Sequence, residues 1–535
     1  MPGSPVASPA GVAAAPANET AAAGARPLLT AALIAVFVAA LDLTVITTIL
    51  SRIIFDLEIN AAEIDRYSWI VSGYLLAYLI TIPIAGRASD LLGRRVVFLV
   101  ALGLFAVGSL WCVLATDLVP LILARMVQGL GGGALVPVTL ALAADLLPPA
   151  RRATVVGAIG AIDTLGWVLG PLWGATVVGL FGAAQLGPVR DWRWVFFVNI
   201  PLALGVLAVI VVVWRGRIVA AATTGRFDWL GALTLSGTLL LVNLALSSGA
   251  EGGGNAPRVL GASANPFAPY RLPLLAGALI AFGVFLWTDR RPGLSLIPLS
   301  LFRSRVFSAA TLTNLLVGAA LIIVMVDVPF VVSLLATDAA QISLISALLL
   351  TPFTLAMTVG SLAGGLLAER LGYRTLALAG LLLAAVGFWR FWGWPQELAY
   401  ARMGTDLVIC GLGLGLVIAP IGAAAINSAP ATDYGVASSL VLVMRLLGMM
   451  IGLSALTSWG TGQLNTLVQA LPKLAQQAGE PTGTFLQRQL QYQAEQVSTL
   501  TLQILHQTFA IAGVICLIAL LPAAFLTRRS ADQTD

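Results

Sequence analysis

Charged side chains are scarce in this chain of 535 residues: Asp, Glu, Lys and Arg make up 10%, whereas apolar residues make up 59%. That is too little polar surface for a water-soluble globular protein. The chain has one histidine, His506, and three cysteines, Cys112, Cys410 and Cys516, far apart in apolar segments. We therefore expect no metal site and no disulfide, and we expect the cysteines to serve packing.

Lysine is nearly absent as well, because Lys473 is the only one, and the basic balance (pI about 9.4) comes from arginine. The arginines cluster in alternate loops between apolar segments of about 20 residues, each long enough to cross a hydrocarbon core of about 30 Å. This asymmetry is typical of the positive-inside orientation of membrane proteins and argues against nucleic acid as a partner.

The apolar segments predict an all-α membrane protein with fourteen transmembrane helices and both termini in the cytoplasm. The predicted spans are 28–50, 67–86, 96–115, 118–142, 153–182, 194–214, 229–249, 271–288, 306–335, 342–368, 375–395, 405–429, 436–465 and 497–527. Residues 1–27 and 528–535 are expected to be cytoplasmic tails, the first irregular and without the cationic start of a secretory signal.

Two segments on the outer side are long. Residues 250–270 are rich in Gly and Pro and predict a flexible loop. Residues 466–496 contain helix formers after Pro481 and predict an amphipathic helical extension of the last spans, at or beyond the outer interface. The alternative is a solvated helix without a role.

The chain contains a parallel internal repeat. The run Gly86-x-x-x-Asp90-x-x-Gly93-x-Arg95 after span 2 returns as Gly365-x-x-x-Glu369-x-x-Gly372-x-Arg374 after span 10. Three glycines of span 5 recur in span 13 at one offset of 278 residues: Gly157, Gly170 and Gly174, then Gly435, Gly448 and Gly452. We predict an N-terminal six-helix bundle (28–214), two inserted linker helices (215–305) and a C-terminal six-helix bundle (306–527).

Five ionisable residues stand out inside the predicted spans: Asp42, Arg125, Asp163, Asp327 and Arg445. Each costs about 2.5–3.5 kcal/mol to insert near a bilayer centre. Three acids against two bases leave one negative charge in excess, which a proton would neutralise. This pattern predicts proton coupling, with Asp42 paired with Arg125 or Arg445 in one state and protonated in another, and with Asp163 and Asp327 as secondary candidates. The alternative is that two of the acids only hold helices together.

Two glycine-rich helix faces accompany these charges. At 100° per residue, Asp163 shares a face of span 5 with Gly166, Gly170 and Gly174, and Arg445 shares a face of span 13 with Gly448 and Gly452. Glycines let helices approach and slide, and Pro171 softens the helix. We expect a moving interface between the two bundles; the alternative is static close packing.

The motifs resemble the major facilitator superfamily, and within it the fourteen-helix drug:proton antiporter branch. The matching runs are the loop Gly86–Arg95, Arg125-Met-Val-Gln128-Gly129 in span 4, Gly166-x-x-x-Gly170-Pro171-x-x-Gly174 in span 5 and Leu41-Asp42-Leu-Thr44 in span 1. The resemblance implies alternating access between two bundles and a role for Arg125 in proton coupling. A cytoplasmic gate is expected from Gly86, Asp90, Gly93, Arg94, Arg95, Glu369, Gly372 and Arg374; the alternative is a basic loop that only sets topology.

A narrower resemblance is to the mycobacterial triacylglyceride exporters of this branch, which work beside a lipoprotein. It is carried by Tyr74-Leu-Leu-Ala-Tyr78, by Gly411-Leu-Gly-Leu-Gly415 and by Arg445-Leu-Leu-Gly-Met449. In that group an acid of span 1, an acid of span 5 and an arginine of span 13 are linked to transport. Asp42 and Arg445 match, whereas Thr164 stands at the span 5 position and Asp163 precedes it, rotated by about 100°.

The sequence thus predicts a monomeric, proton-coupled exporter in a bacterial cell membrane, with no cofactor besides the proton gradient. Few polar residues lie within the spans (Gln128, Asn243, Asn314 and Asn427), which favours a lipid or another apolar cargo. The alternatives are a multidrug efflux pump for lipophilic cations and, outside the transporter class, a lipid scramblase or a scaffold. An intramembrane enzyme is disfavoured, because no paired carboxylates or histidine cluster is present in the sequence.

Overall fold

The computed structural model describes residues 17–57, 69–184, 189, 191–213, 227–247, 268–290, 295–336, 342–395, 397–471 and 481–527. In these ranges the chain forms fourteen helices that are long and apolar enough to cross a membrane, which confirms the predicted number of spans. The helices are α1 (Ala17–Asp56), α2 (Trp69–Leu92), α3 (Arg94–Leu114), α4 (Leu118–Leu146), α5 (Pro149–Phe181), α6 (Arg193–Val213), α7 (Trp229–Ser247), α8 (Arg271–Asp289), α9 (Arg305–Leu335), α10 (Ile342–Leu371), α11 (Tyr373–Trp392), α12 (Tyr400–Asn427), α13 (Tyr434–Gln469) and α14 (Thr482–Ala523).

The first helix begins earlier than predicted. We expected an irregular tail as far as residue 27, but α1 begins at Ala17 and has Pro27 inside it. The boundary was wrong because residues 17–26 are rich in alanine, the strongest helix former. Residues 1–16, the tail 528–535 and most of the predicted loop 250–270 lie outside the described residues.

Glycines of α4 and α12 show that the two bundles share one packing scheme. A Cβ on Gly129 would meet the carbonyl oxygen of Tyr74 in α2, and a Cβ on Gly411 would meet that of Phe353 in α10. Two further pairs of glycines, two and four positions later, repeat the pattern against the neighbouring helices: Gly131 and Gly413, then Gly133 and Gly415. The predicted repeat is therefore present in three dimensions, with α1–α6 and α9–α14 as its two copies.

The turn between the second and third helix of each bundle also repeats. Gly93 (φ 90°) separates α2 from α3, and Gly372 (φ 78°) separates α10 from α11. Residues with a side chain rarely adopt such positive φ values, so glycine is needed at both turns. This local geometry explains why both copies of the loop motif keep the same glycine.

The inserted helices α7 and α8 pack against each other, and α7 also contacts α2 and α13. They are among the least covered spans, with about a third or less of the apolar window buried. They therefore lie at the periphery of the two bundles.

The last two helices are much longer than a bilayer requires. At 1.5 Å per residue, α13 with 36 residues and α14 with 42 residues are about 54 Å and about 63 Å long, against a hydrocarbon core of about 30 Å. The predicted helical extension after Pro481 is thus the start of α14 and continuous with the span. Residues 472–480 lie outside the described residues.

Candidate functional site

Asp42 of α1 is the centre of a buried polar cluster. Arg125 Nη1 of α4 donates to Asp42 Oδ2 over 2.6 Å, and Arg125 Nη2 reaches the Asp42 carbonyl oxygen at 3.4 Å. Gln128 Nε2 donates to Asp42 Oδ1 over 3.0 Å, and Asn199 Nδ2 of α6 donates to the same oxygen over 2.7 Å. The carboxylate therefore has donors on both oxygens, which is the arrangement that stabilises its ionised form.

The cluster is sealed from water. Asp42 is 1% exposed, and Arg125 and Gln128 are 0% exposed. The Arg125 guanidinium lies 4.1 Å from the centre of the Tyr74 ring, a cation–π contact. Removing either ion alone would leave an uncompensated charge in this environment, which costs about 3–5 kcal/mol.

The sequence singled out Asp42, Arg125 and Gln128 but did not place Asn199 or Ser109 beside them. Asn199 stands in an apolar span six residues after Arg193, and Ser109 accepts a hydrogen bond from Gln128 Nε2 over 2.9 Å. A polar residue inside an apolar helix was the available signal. The partner of each remained unknown, because helix neighbours are set by packing.

The second ion pair connects the two bundles. Arg445 Nη2 of α13 lies 3.3 Å from Asp163 Oδ2 of α5, and the two side chains are about 10% and 8% exposed. Thr164, which stands at the acid position of the resembling exporters, donates its hydroxyl to Gly160 of its own helix over 2.8 Å. The one-residue shift therefore still brings an acid of α5 to Arg445.

Asp327 stands apart from both pairs. It lies on α9, and Asp327 Oδ2 contacts Thr508 Oγ1 of α14 at 2.5 Å. The five ionisable residues singled out in the spans thus form two ion pairs and one carboxyl without a base, as counted among the described residues. The structure does not combine them into one site.

The expected role of the glycine faces was wrong. Cβ atoms on Gly166, Gly170 and Gly174 would meet α1, for example Ala40 and the carbonyl oxygen of Leu41. Cβ atoms on Gly448 and Gly452 would meet α9 at Leu315 and Ala319. These glycines pack helices within one bundle, whereas Asp163 and Arg445 beside them pair with each other across the two bundles.

Other glycines form the contact between the bundles. Gly86 of α2 lies against Gly435 of α13, and Gly157 of α5 lies against Ser361 of α10. Gly365 of α10 lies against residues Ala153 and Thr154 of α5. The interface is thus closely packed near the basic loops.

The loop motif holds the start of α13. Asp90 accepts hydrogen bonds from the backbone nitrogens of Gly435 (2.9 Å) and Val436 (3.0 Å), and it forms an ion pair with Arg94. Arg94 Nε also donates to Asp145 Oδ2 over 2.9 Å. A carboxylate at a helix amino terminus satisfies free N–H groups and the helix dipole.

The second copy of the motif is looser. Glu369 is exposed and lies 3.5 Å from the hydroxyl of Thr154 in α5. Arg374 is exposed and Arg95 is half-buried, and neither forms a bond between the bundles within the described ranges. The predicted gate residues of both copies are thus close to the opposite bundle, and the buried bonds described above belong to the first copy.

A further link at the same end was not predicted. Arg152 of α5 donates to Asn427 Oδ1 of α12 (2.9 Å) and to the hydroxyl of Tyr434 (3.0 Å), and its guanidinium lies 4.6 Å from the Tyr434 ring centre. Asn427 Nδ2 in turn donates to the hydroxyl of Tyr373 over 2.9 Å. The sequence showed Arg152 only as a topogenic charge in a basic loop.

The helices are more deeply buried near the basic loops than on the outer side of Asp163. Residues 131–144 of α4, 419–426 of α12 and 435–443 of α13 are buried on every face. On the outer side of Asp163, α5 has several half-exposed or exposed positions, among them Trp167, Pro171 and Ala175. The two bundles are therefore joined from the basic loops as far as Asp163 and Arg445, the outermost of the links described above.

With this geometry in place, the chain can be compared with known proteins. Residues 32–452 match the Major Facilitator Superfamily, so the chain belongs to that superfamily of transporters and is not an enzyme. It is 36% identical over 523 residues to a triacylglyceride transporter of Mycolicibacterium hassiacum, an alignment that covers 94% of this chain and 93% of the relative. It is 35% identical over 531 residues to a triacylglyceride transporter of Mycobacterium tuberculosis, covering 96% and 97%.

Solved structures agree on the fold. The human organic anion transporter MFSD10 superposes with a TM-score of 0.56 at 15% identity, covering 93% of this chain and 99% of that chain. The proton:xylose symporter XylE superposes with a TM-score of 0.57 at 14% identity, covering 94% and 95%. At such identities the likeness concerns the fold alone.

Proposed function

We propose that this protein is a proton-driven antiporter that exports an apolar lipid by alternating access between its two bundles. In this proposal the described conformation is closed at the end of the basic loops and accessible from the opposite end. The observation that carries the proposal is the buried ion pair of Asp163 and Arg445, one charge from each bundle.

Rocking of the bundles would separate these two charges. When the links near the basic loops open, Asp163 moves with α5 and Arg445 moves with α13, so each charge loses its partner in low dielectric. Breaking such a pair costs about 3–5 kcal/mol, and a proton on the carboxylate removes one of the two uncompensated charges. Asp163 is therefore the carboxyl whose protonation follows the movement.

The Asp42 pair is expected to stay closed during the same movement. Its partners Arg125, Gln128 and Asn199 all belong to the N-terminal bundle. A rigid rotation of that bundle does not change distances inside it. We accordingly revise the expected order: Asp163 is the leading candidate for coupling, and Asp42 stabilises the arrangement of α1, α4 and α6.

The cargo is proposed to be a triacylglyceride or a similar neutral lipid. Polar residues of the spans are already used within the protein: Gln128 by Asp42, Asn314 by the Val441 carbonyl oxygen (2.5 Å) and Asn427 by Tyr373. A sugar or an amino acid would need such groups free, whereas a lipid needs an apolar surface. The relatives named triacylglyceride transporters support the same choice.

The cellular setting belongs to the proposal as well. We expect a bacterial cell membrane with both termini in the cytoplasm, a monomer, no cofactor besides the proton gradient and a lipoprotein at the outer face. The long helices α13 and α14 support an outer partner, because they extend well past a core of about 30 Å. A lipid that leaves the bilayer needs such a surface.

The test is transport in proteoliposomes with a fluorescent triacylglyceride and, separately, a lipophilic cationic dye. Proton entry is worth about 2.3 kcal/mol per 100 mV, which corresponds to about a 50-fold accumulation per proton. We expect the gradient to drive lipid movement in the wild type and to have no effect in Asp163→Asn.

A charge-reversal pair supplies the control. Asp163→Arg and Arg445→Asp should each abolish gradient-driven transport, and the double variant should recover part of it, because the pair is restored with opposite orientation. Lipid movement that ignores the gradient in the wild type would instead indicate a scramblase. Movement of the dye but not of the lipid would indicate a multidrug pump.

A further inference from the structure

The carboxyl of Asp327 contacts a hydroxyl group whose single hydrogen has two possible acceptors. Thr508 Oγ1 lies 2.5 Å from Asp327 Oδ2 and 2.7 Å from the carbonyl oxygen of Leu505, one turn earlier in α14. A threonine hydroxyl can donate only one hydrogen bond but can accept two. If the hydroxyl donates to Leu505, the hydrogen between Asp327 and Thr508 has to come from the carboxyl.

The charge around Asp327 favours that arrangement. In the described part of the chain, Arg125 is paired with Asp42 and Arg445 with Asp163, and Asp327 has Thr508 as its one side-chain partner. A carboxylate inside a membrane protein without a base is costly, and protonation removes the charge. Asp327 is thus the unpaired acid among the three acids and two bases of the spans.

Several titratable groups lie on the helices packed against α9, and at least two of them are engaged elsewhere. Arg445 of α13 binds Asp163, and Asp406 of α12 binds Arg390 and Trp394. His506 of α14 is two residues from Thr508, about 200° around the helix. The remaining groups on these helices are Glu369 and Arg370 at the basic-loop end of α10, Tyr400, Arg402 and Cys410 of α12, Tyr434 of α13, and Arg488, Tyr492, Glu495 and Cys516 of α14.

The site lies in the outer half of α9. Asp327 lies 22 residues after Arg305, about 33 Å along the helix from the basic-loop end. This distance is comparable with the whole hydrocarbon core of about 30 Å. A proton from outside would reach Asp327 without passing through the closed end of the protein.

We propose that Asp327 and Thr508 form a second proton-binding site, which holds its proton in the described conformation. The carboxyl O–H donates to Thr508 Oγ1, and the Thr508 hydroxyl donates to Leu505. Loss of the proton leaves a carboxylate, and the hydroxyl then turns from Leu505 to Asp327. The site joins α9 to α14, so protonation controls the contact between these two helices. α9 also packs on α13, and α14 forms the outer extension.

α9 also connects the site with the coupling pair. Gly318 lies nine residues before Asp327 on α9. A Cβ on Gly318 would meet the backbone of Arg445 in α13. A shift of α9 on protonation would therefore move the helix that presents Arg445 to Asp163. In this respect the inference rests on the proposed antiport function, whereas the protonation of Asp327 does not.

The test is infrared spectroscopy of the purified full-length protein in detergent at neutral pH, in which a protonated carboxylic acid has a carbonyl stretching band that an ionised carboxylate lacks. We expect this band in the wild type, its loss in Asp327→Asn and its displacement in Asp327→Glu. Thr508→Val should shift the band, because the hydrogen-bond acceptor is lost, and Thr508→Ser should restore it. Asp42→Asn and Asp163→Asn should leave it in place.

Absence of the band from the wild type, or its persistence in Asp327→Asn, would overturn the proposal. Since Asp327→Glu and the Thr508 variants report on the same group, a failure of Asp327→Asn to fold would not prevent the decision. Transport supplies the second readout. Asp327→Asn should lose the proton-driven lipid accumulation of about 50-fold, while lipid still moves down its own concentration gradient. A wild type without any gradient effect would refute the antiport proposal but not the protonated acid.

Discussion

The two bundles of this transporter have the same packing but different charge. Gly129 of α4 contacts α2, and Gly411 of α12 makes the corresponding contact with α10. When these two glycines are aligned, Leu407 corresponds to Arg125. The same register places Cys410 opposite Gln128. Gly170 contacts Leu41 in the N-terminal bundle, and Gly448 contacts Leu315 in the C-terminal bundle. The residue after Leu315, Leu316, therefore corresponds to Asp42.

This comparison indicates that a six-helix bundle of this shape can form without the polar cluster. The C-terminal bundle reaches the same helix arrangement with apolar residues at the corresponding positions. Buried ion pairs are often no more stabilising than well-packed apolar residues of similar volume. We infer that the glycine contacts determine the shape of both bundles, whereas the N-terminal cluster fixes α1, α4 and α6 against one another.

The strongest test converts the centre of the first bundle into that of the second. Arg125→Leu should lower the free energy of unfolding by about 3–5 kcal/mol, because Asp42 keeps a buried charge without its partner. The double variant with Asp42→Leu should recover most of this loss, because no buried charge is then left without its partner. The measurement is chemical unfolding in detergent followed by circular dichroism, with Leu407→Met as the matched variant of the second bundle, for which we expect a change below about 1.5 kcal/mol. Equal destabilisation by the single and double variants would show that the cluster is needed for folding.

A smaller effect is expected from the glycines that shape the bundles. Gly448→Ala places a methyl group against the backbone of Leu315, and rigid backbone atoms cannot move aside. We expect a loss of about 1–3 kcal/mol in the same unfolding measurement. Gly103→Ala in α3 is the control, since a Cβ there meets nothing within 4 Å, and it should be neutral or stabilising by up to about 1 kcal/mol. A Gly448→Ala protein as stable as the wild type would contradict the assigned contact.

The smallest effects separate the two copies of the loop motif. Asp90→Ala should cost about 1–2 kcal/mol, because the buried carboxylate caps α13 with two backbone hydrogen bonds. Glu369→Ala should have no measurable effect on unfolding, because Glu369 is exposed. Labelling of a cysteine placed near Gly435 from the basic-loop side should rise in Asp90→Ala and stay unchanged in Glu369→Ala. Equal effects of both substitutions would remove the asymmetry between the copies.

Local patterns were sufficient for the spans, the repeat and the turn glycines. Hydrophobic length predicted fourteen helices, and Gly93 and Gly372 marked the same turn in both copies. Local patterns were insufficient for the partners of the charges. They offered Arg125 and Arg445 as equal partners for Asp42, but Arg445 binds Asp163 instead. They also assigned the glycines beside Asp163 to the wrong neighbour, since one helix presents different faces to α1 and to the other bundle.

Three properties could be read from the order of residues along the chain: the fourteen apolar spans, the two related bundles and the five ionisable residues singled out within the spans. These properties depend on the apolar length and order of neighbouring residues, which can be read along the chain. The three-dimensional packing was needed to show that Asp42 is held within one bundle, that Asp163 and Arg445 join the two bundles, and that Asp327 contacts Thr508. Those contacts bring together residues more than 80 positions apart, and their geometry depends on how the helices rotate and pack against one another.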